Sequence, residues 1–228
     1  MAKWPNTEAE LAAEVVRYLE DLQWEVYQEV QAHGGVADIV AVQANIVWVI
    51  ECKKTFGFAV MEQAMARRPG AHFVSVAVPY RLVTDFRNSI CGWKGIGVIS
   101  VNQSKTVRES LEARFHRRTN VKSMLDRLEP EHKTFAKAGA AGGGHWTPFK
   151  KTCRALLDYV KKHPGAPLME VVKNIKHHYA SPASARGTLA RWIRDGVVEG
   201  VAIEYTGRTP HVYPVIGGEI FKPQRDLL

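Results

Sequence analysis

Asp38, Glu51 and Lys53 are the residues whose types and spacing suit chemistry at a phosphodiester. Two apolar runs carry them: Ala37-Asp38-Ile39-Val40-Ala41-Val42, and Ile46-Val47-Trp48-Val49-Ile50 leading into Glu51-Cys52-Lys53. Both runs are β-branched, and Gln43-Ala44-Asn45 is the turn-like break between them. A two-residue loop at Ala44-Asn45 sets Val42 opposite Val47, Val40 opposite Val49 and Asp38 opposite Glu51. Residues facing each other in this way have Cβ atoms about 4.5–5.5 Å apart. Two facing carboxylates repel and destabilise a hairpin. A hard divalent cation with oxygen ligands removes that repulsion, so Mg²⁺ is the expected cofactor and Mn²⁺ its substitute. Strand alternation puts Lys53 on the face of Glu51, one step along, and Lys54 on the other face. There the Lys53 ammonium can hold or activate a water, or neutralise charge developing on a phosphate. The plainer alternative is a pair of exposed strand-end charges with Lys53 as an ordinary salt-bridge partner.

The elements that would position these residues follow from pattern. Residues 7–22 predict a helix, with Thr7 as N-cap, Glu10 at N3, and Leu11, Val15, Leu19 and Leu22 as its apolar stripe. Residues 24–30 alternate as a strand, and His33-Gly34-Gly35 is a turn before the hairpin. A helix over 58–68 stops at Pro69-Gly70. A buried strand over 73–78, a short helix over 82–90 and a strand over 96–101 complete the order α-β-β-β-α-β-α-β. That order predicts an α/β fold: a mixed sheet flanked by helices, apolar on both faces.

Residues 104–132 are charged, with helix-compatible patches over 107–118 and 121–128, and 136–144 is a Gly/Ala-rich linker. The expected organisation is a catalytic domain over 1–103, a connector and linker over 104–144, and a second domain over 145–228. In the latter, helices over 147–163, 168–176 and 181–195 precede a hairpin over 197–215 that turns at Thr206-Gly207-Arg208-Thr209. Three helices and a hairpin of this size describe a winged helix-turn-helix. On its third helix Ala185, Leu189, Trp192 and Ile193 line the inward stripe, while Ala183, Ser184, Gly187, Arg191 and Arg194 project away with Arg186 on the flank. Small residues early and arginines later suit a helix entering a major groove. Lys173, Lys176 and Arg208 are placed to meet phosphates. A protein-interaction module with a solvated basic face is the alternative.

The 228 residues are 46% hydrophobic and 24% charged, with net charge +8. Residues 1–103 hold 9 Lys+Arg against 11 Asp+Glu, whereas 104–228 hold 22 against 12. An acidic half joined to a basic half predicts a polyanion held by the second and attacked by the first. No apolar stretch approaches the ~20 residues of a membrane span, so no membrane partner is expected. Residues 1–6 lack a signal peptide's apolar core. Cys52, Cys91 and Cys153 are far apart and without paired spacing. That argues for free thiols in the reducing cytoplasm.

Glu8, Asp38 and Glu51-X-Lys53, on a helix followed by a hairpin, resemble the PD-(D/E)XK nuclease superfamily, which includes restriction endonucleases and Holliday-junction resolvases. The likeness spans residues 7–101, and Ala37 stands where the family usually has proline. It implies a restriction-endonuclease-like α/β/α core and Mg²⁺-dependent hydrolysis of DNA by water. Asp38, Glu51 and Glu8 would be metal ligands, and Lys53 would orient the water. Gln63, followed by Ala64, matches the family's glutamine after the motif; otherwise it is a helix-surface amide. Glu8 lies on the stripe of Leu11, Val15 and Leu19, where it either ends the stripe or reaches the metal. Glu14 is the second choice from this helix, and Glu29 is a strand carboxylate that either supports the site or faces solvent. The reading is a DNA endonuclease of bacterial or phage type, targeted by its winged helix. Its rivals are a DNA-binding regulator on an inactive nuclease fold and a junction resolvase, which implies a homodimer.

Overall fold

The computed structural model describes residues 4–134, 137–139 and 146–222. The chain divides into two compact units, Met1–Trp146 and Thr147–Leu228. No helix among the described residues is long and apolar enough to cross a membrane.

The first unit is an α/β structure on a six-stranded mixed sheet. Its strands are β1 (Glu25–Ala32), β2 (Gly35–Gln43), β3 (Ile46–Cys52), β4 (Phe73–Pro79), β5 (Gly97–Val101) and β6 (Val107–Leu111), in that spatial order. β1, β2 and β3 are antiparallel neighbours, β3, β4 and β5 are parallel, and β6 returns antiparallel. Between the parallel strands run helices α2 (Phe58–Arg67) and α3 (Asp85–Lys94); α1 (Glu8–Asp21) opens the unit and α4 (Val121–Leu125) lies near its end.

Alternation along the strands builds two cores. Leu11, Val15 and Leu19 of α1 pack on Ile39, Ala41, Trp48, Ile50 and Ile99. On the opposite face Val60, Met61 and Ala64 of α2, Cys91 of α3 and Met124 of α4 pack on Val40, Val47, Val49, Val74, Val76 and Val98. Thr7 caps α1 as its sequence predicts, its side chain accepting the Glu10 N–H at 3.1 Å, while the Glu10 carboxylate accepts the Asn6 N–H at 2.8 Å.

Three expectations are corrected. Residues 107–111 form strand β6, antiparallel to β5, with Val107 packed on the α1-side core and Leu111 on the other. The reversal into β6 is made by Asn102, whose Oδ1 accepts from Thr106 N–H at 2.9 Å. The short helix begins at Asp85 rather than 82, since Thr84 accepts the Arg87 N–H at 3.3 Å and acts as N-cap. Residues 107–125 belong to the first unit and are not a free-standing connector: Met124 is fully buried in its core. The linker expected over 136–144 lies mostly outside the described residues. Of its described part, Ala138 is buried against the α1-side core.

The second unit contains α5 (Pro148–Lys162), β7 (Ala166–Pro167), α6 (Leu168–Asn174), α7 (Pro182–Arg194), β8 (Val201–Thr206), β9 (Thr209–Ile216) and β10 (Glu219–Ile220). β9 pairs antiparallel with β7, β8 and β10. Leu156, Val160, Leu168, Val172, Leu189 and Ile193 lead its core. Ala185 and Ala190 are buried beside them, and Trp192 is half-buried, its ring 4.3 Å from that of Phe149.

Candidate functional site

Ala44 and Asn45 have φ of 46° and 66°, the paired positive values of the tight turn that matches strand twist. The turn sets the expected register, Val42 to Val47 through Ile39 to Ile50. One step further the ladder opens. Asp38 and Glu51 are not a hydrogen-bonded strand pair; instead Asp38 Oδ2 accepts the Cys52 N–H at 2.7 Å. β3 continues past this point on its other edge, paired with β4 through Cys52 and ending with the Lys53 N–H donated to Ala77 O at 3.0 Å.

Both carboxylates are buried, Asp38 to 8% and Glu51 to 2% exposure. Burial, together with the charge of Asp38, pushes Glu51 up to about 7, against the pull of a neighbouring arginine. Burial likewise raises Asp38, opposed by the Cys52 N–H and the Lys53 charge. Lys53 does not pair with Glu51. Its Nζ donates to Glu8 Oε2 at 2.9 Å, and the Lys54 N–H reaches Glu8 Oε1 at 3.4 Å. Burial favours the neutral amine, but the Glu8 hydrogen bond and the charges of Asp38, Glu8 and Glu51 hold the Lys53 ammonium above its usual range. The structure therefore brings Glu8, Asp38, Glu51 and Lys53 together, from α1, β2 and the end of β3.

The partner of Glu51 is Arg67, a residue outside the Asp38, Glu51-X-Lys53 motif. Its Nε donates to Glu51 Oε1 at 2.6 Å, Nη1 to His33 O at 2.6 Å and Nη2 to Val36 O at 2.7 Å. Arg67 is only 3% exposed, and its guanidinium ties α2 to the turn between β1 and β2. That turn requires glycine: at Gly34, φ is +77°, and a Cβ would lie 2.8 Å from that of Ala66 and 3.4 Å from Arg67 Nη1. A sequence signal existed. Val60, Ala64 and Arg67 follow one helical stripe, and an arginine on a buried stripe demands a carboxylate.

Other expected residues are placed differently. Gln63 is exposed and makes no hydrogen bond among the described residues. It sits one helical turn before Arg67. Glu14 is buried but engages Arg17 at 2.9 Å and Lys105 at 3.2 Å, leaving Glu8 as the carboxylate of α1 beside Lys53. Glu29 lies between the pairs Gln28–Ile39 and Val30–Ala37, with φ of 53° interrupting the ladder across from Asp38. Its Oε1 accepts the Gly139 N–H at 2.9 Å; burial and then the Asp38 charge raise its pKa. In the second unit Ser184, Arg191, Arg194, Lys173, Lys176 and Arg208 are exposed and Arg186 is half-buried. Arg194 Nη2 donates to the Tyr205 hydroxyl of β8 at 3.3 Å.

Among the described residues no three His, Cys, Asp or Glu side chains are placed to hold one metal ion together. The donor chemistry still suits a hard cation held by two carboxylates, the usual arrangement for Mg²⁺. Cys52 and Arg67 take one oxygen each, and no hydrogen bond reaches Asp38 Oδ1 or Glu51 Oε2 among the described residues.

No protein-family model and no curated protein matches the chain. A solved structure that it resembles is the crystal structure of a protein of unknown function, AF1548, with 16% identity and a TM-score of 0.35, covering 86% of this chain and 100% of that one.

Proposed function

We propose that this protein is a Mg²⁺-dependent DNA nuclease of the PD-(D/E)XK type, with a C-terminal winged helix that holds its substrate. The supporting observation is the convergence of Glu8, Asp38, Glu51 and Lys53, from three elements, where β2 and β3 part. Asp38 and Glu51 would hold the metal, which supplies charge stabilisation at the phosphate when bound. Lys53 presents an ammonium beside them that orients the attacking water and offsets negative charge on the phosphate. Glu8 holds Lys53 in place through its 2.9 Å hydrogen bond. Arg67 orients Glu51 and offsets part of the carboxylate charge. The order α5-β7-α6-α7-β8-β9, with an exposed Ser184, Arg191 and Arg194 face on α7, supports the winged-helix reading.

A second reading has its own support. Arg67 on Glu51 and Lys53 on Glu8 satisfy two carboxylates without metal, as an inert fold retained in a DNA-binding regulator would. Incubating the full chain with plasmid, linear and branched DNA, in Mg²⁺ or in EDTA, separates the two. Mg²⁺-dependent cleavage lost in Asp38→Asn supports the nuclease. DNA binding without cleavage in any metal supports the regulator.

A further inference from the structure

Residues 113–125 of the first unit contain four Lys or Arg and no Asp or Glu. The chain there is pinned by its backbone. Arg114 N–H donates to Gly95 O at 3.2 Å, His116 N–H to His72 O at 2.8 Å, and Asn120 N–H to Pro69 O at 2.7 Å. The first anchor sets Arg114 beside the C-terminal end of α3, where Lys94 and Trp93 stand; Arg117 and Arg118 follow in the same segment, between the His116 anchor on His72 and the Asn120 anchor on Pro69, next to Arg68 in sequence. Arg68 joins the group by donating from its guanidinium to Lys94 O, and its buried Nε has no hydrogen-bond partner. Among the described residues none of these five cations meets a carboxylate. Glu112, close in sequence, instead lines a pocket with Trp24 and Trp48. Trp93 is 77% exposed, with Lys94 Nζ 4.2 Å from its ring centroid.

Five unpaired cations on one surface repel one another, and a large indole left in water forgoes burial. A nucleic-acid strand relieves both. Its phosphates neutralise the cations with release of counterions, and an unpaired base stacks on the indole. We propose that this surface binds a nucleic-acid strand with unpaired bases, the arginines on its phosphates and Trp93 against a base. It is separate from the carboxylate cluster, which lies where β3 ends; the anchors here are at the starts of β4 and β5.

DNA is the probe because of the functional reading above, but neither metal nor cleavage enters the measurement. Full-length protein carrying Arg191→Ala and Arg194→Ala, in EDTA, is titrated against a labelled 20-nucleotide oligothymidine and a duplex of the same length across a salt series. For the single strand, Arg117→Ala with Arg118→Ala should lower the slope of log K against log salt by about 1.4, about 0.7 for each phosphate no longer neutralised. Trp93→Ala should weaken single-strand binding about fivefold or more with little change of slope, and Trp93→Phe should keep most of the affinity. Duplex binding should depend less on Trp93. All replaced side chains but Trp93 are exposed cations, and the urea midpoint of each variant checks folding. Unchanged slope and affinity in these variants would overturn the proposal. So would equal binding of polyglutamate that is insensitive to Trp93→Ala, which would assign the surface to acidic polypeptides. A chain that binds the oligonucleotide in this way yet never cuts DNA would sink the nuclease reading alone.

Discussion

At the residue scale, replacing Glu51 by alanine leaves the Arg67 guanidinium buried and charged with two carbonyls and no carboxylate. Breaking a buried pair from one side costs about 3–5 kcal/mol, so Glu51→Ala should lower stability in urea by that order besides abolishing cleavage. Repulsion between facing carboxylates alone would suggest the opposite sign. Asp38→Asn keeps an acceptor for the Cys52 N–H while removing a charge, and should raise the metal-free urea midpoint as cleavage disappears. The same pair gives a pH dependence. Glu51 and Asp38 titrate higher in the folded chain than in the unfolded one, so the stability they contribute is full below the ordinary carboxylate range. It is lost as pH rises through about 7. In EDTA the urea midpoint should therefore fall between about pH 5 and pH 8. Asp38→Asn should flatten that fall, and a midpoint independent of pH in the parent would refute the assignment. Lys53 and Lys54 offer a paired test. Lys53→Ala should cut turnover by orders of magnitude while Mg²⁺ binding, followed by calorimetry, survives. Exposed Lys54, whose Nζ donates to Asn6 O at 3.0 Å, should tolerate the change; equal losses would remove the special role of Lys53.

At the element scale, the β3-β4-β5 core depends on close packing. Trp48, 6% exposed on β3, donates its indole N–H to Ser75 Oγ of β4 at 2.9 Å. Ser75 is paired with Gly97 of β5, where a Cβ would run into that Oγ and lie 2.9 Å from Ala113 Cβ and Ala113 N. Backbone on one side and a hydrogen-bonded hydroxyl on the other leave little room to yield. Gly97→Ala should therefore cost about 1–3 kcal/mol, the usual range for overpacking a filled core, read from the denaturation midpoint. A change within about 0.5 kcal/mol would show that β5 shifts freely against β4.

At the scale of the whole molecule, the charge imbalance between residues 1–103 and 104–228 is spread over both compact units. Part of the basic excess, Arg114, Arg117 and Arg118, belongs to the unit that carries the carboxylates. DNA affinity should therefore have two separable contributions. Arg191→Ala with Arg194→Ala in the full chain should weaken duplex binding and reduce the salt slope by up to about 1.8, while Mg²⁺ affinity stays unchanged. An unaltered slope would assign α7 to a protein partner.

Local pattern determined much of this protein. The hairpin register followed from β-branched runs around Ala44-Asn45, and the α1 boundary from Thr7. The inward stripe of α7 followed from the spacing of Ala185, Leu189 and Ile193. These are properties of neighbours in the chain, where turn chemistry, capping and periodicity act within a few residues. The tertiary structure alone decided who pairs with whom among the charges. Arg67 meets Glu51 because α2 lies across the sheet face that carries Glu51, and Lys53, just beyond the end of β3, meets Glu8 at the start of α1. β6 is held by its pairing with β5 and by Val107 and Leu111 packing on the two cores, long-range contacts that the charged composition of residues 107–111 does not express. Gln63 and Arg67 stand one turn apart on one helix. They share a helix face, so which of them enters the cluster was set by where along its length α2 meets Glu51 and the β1–β2 turn, a property of the assembled sheet and not of the segment.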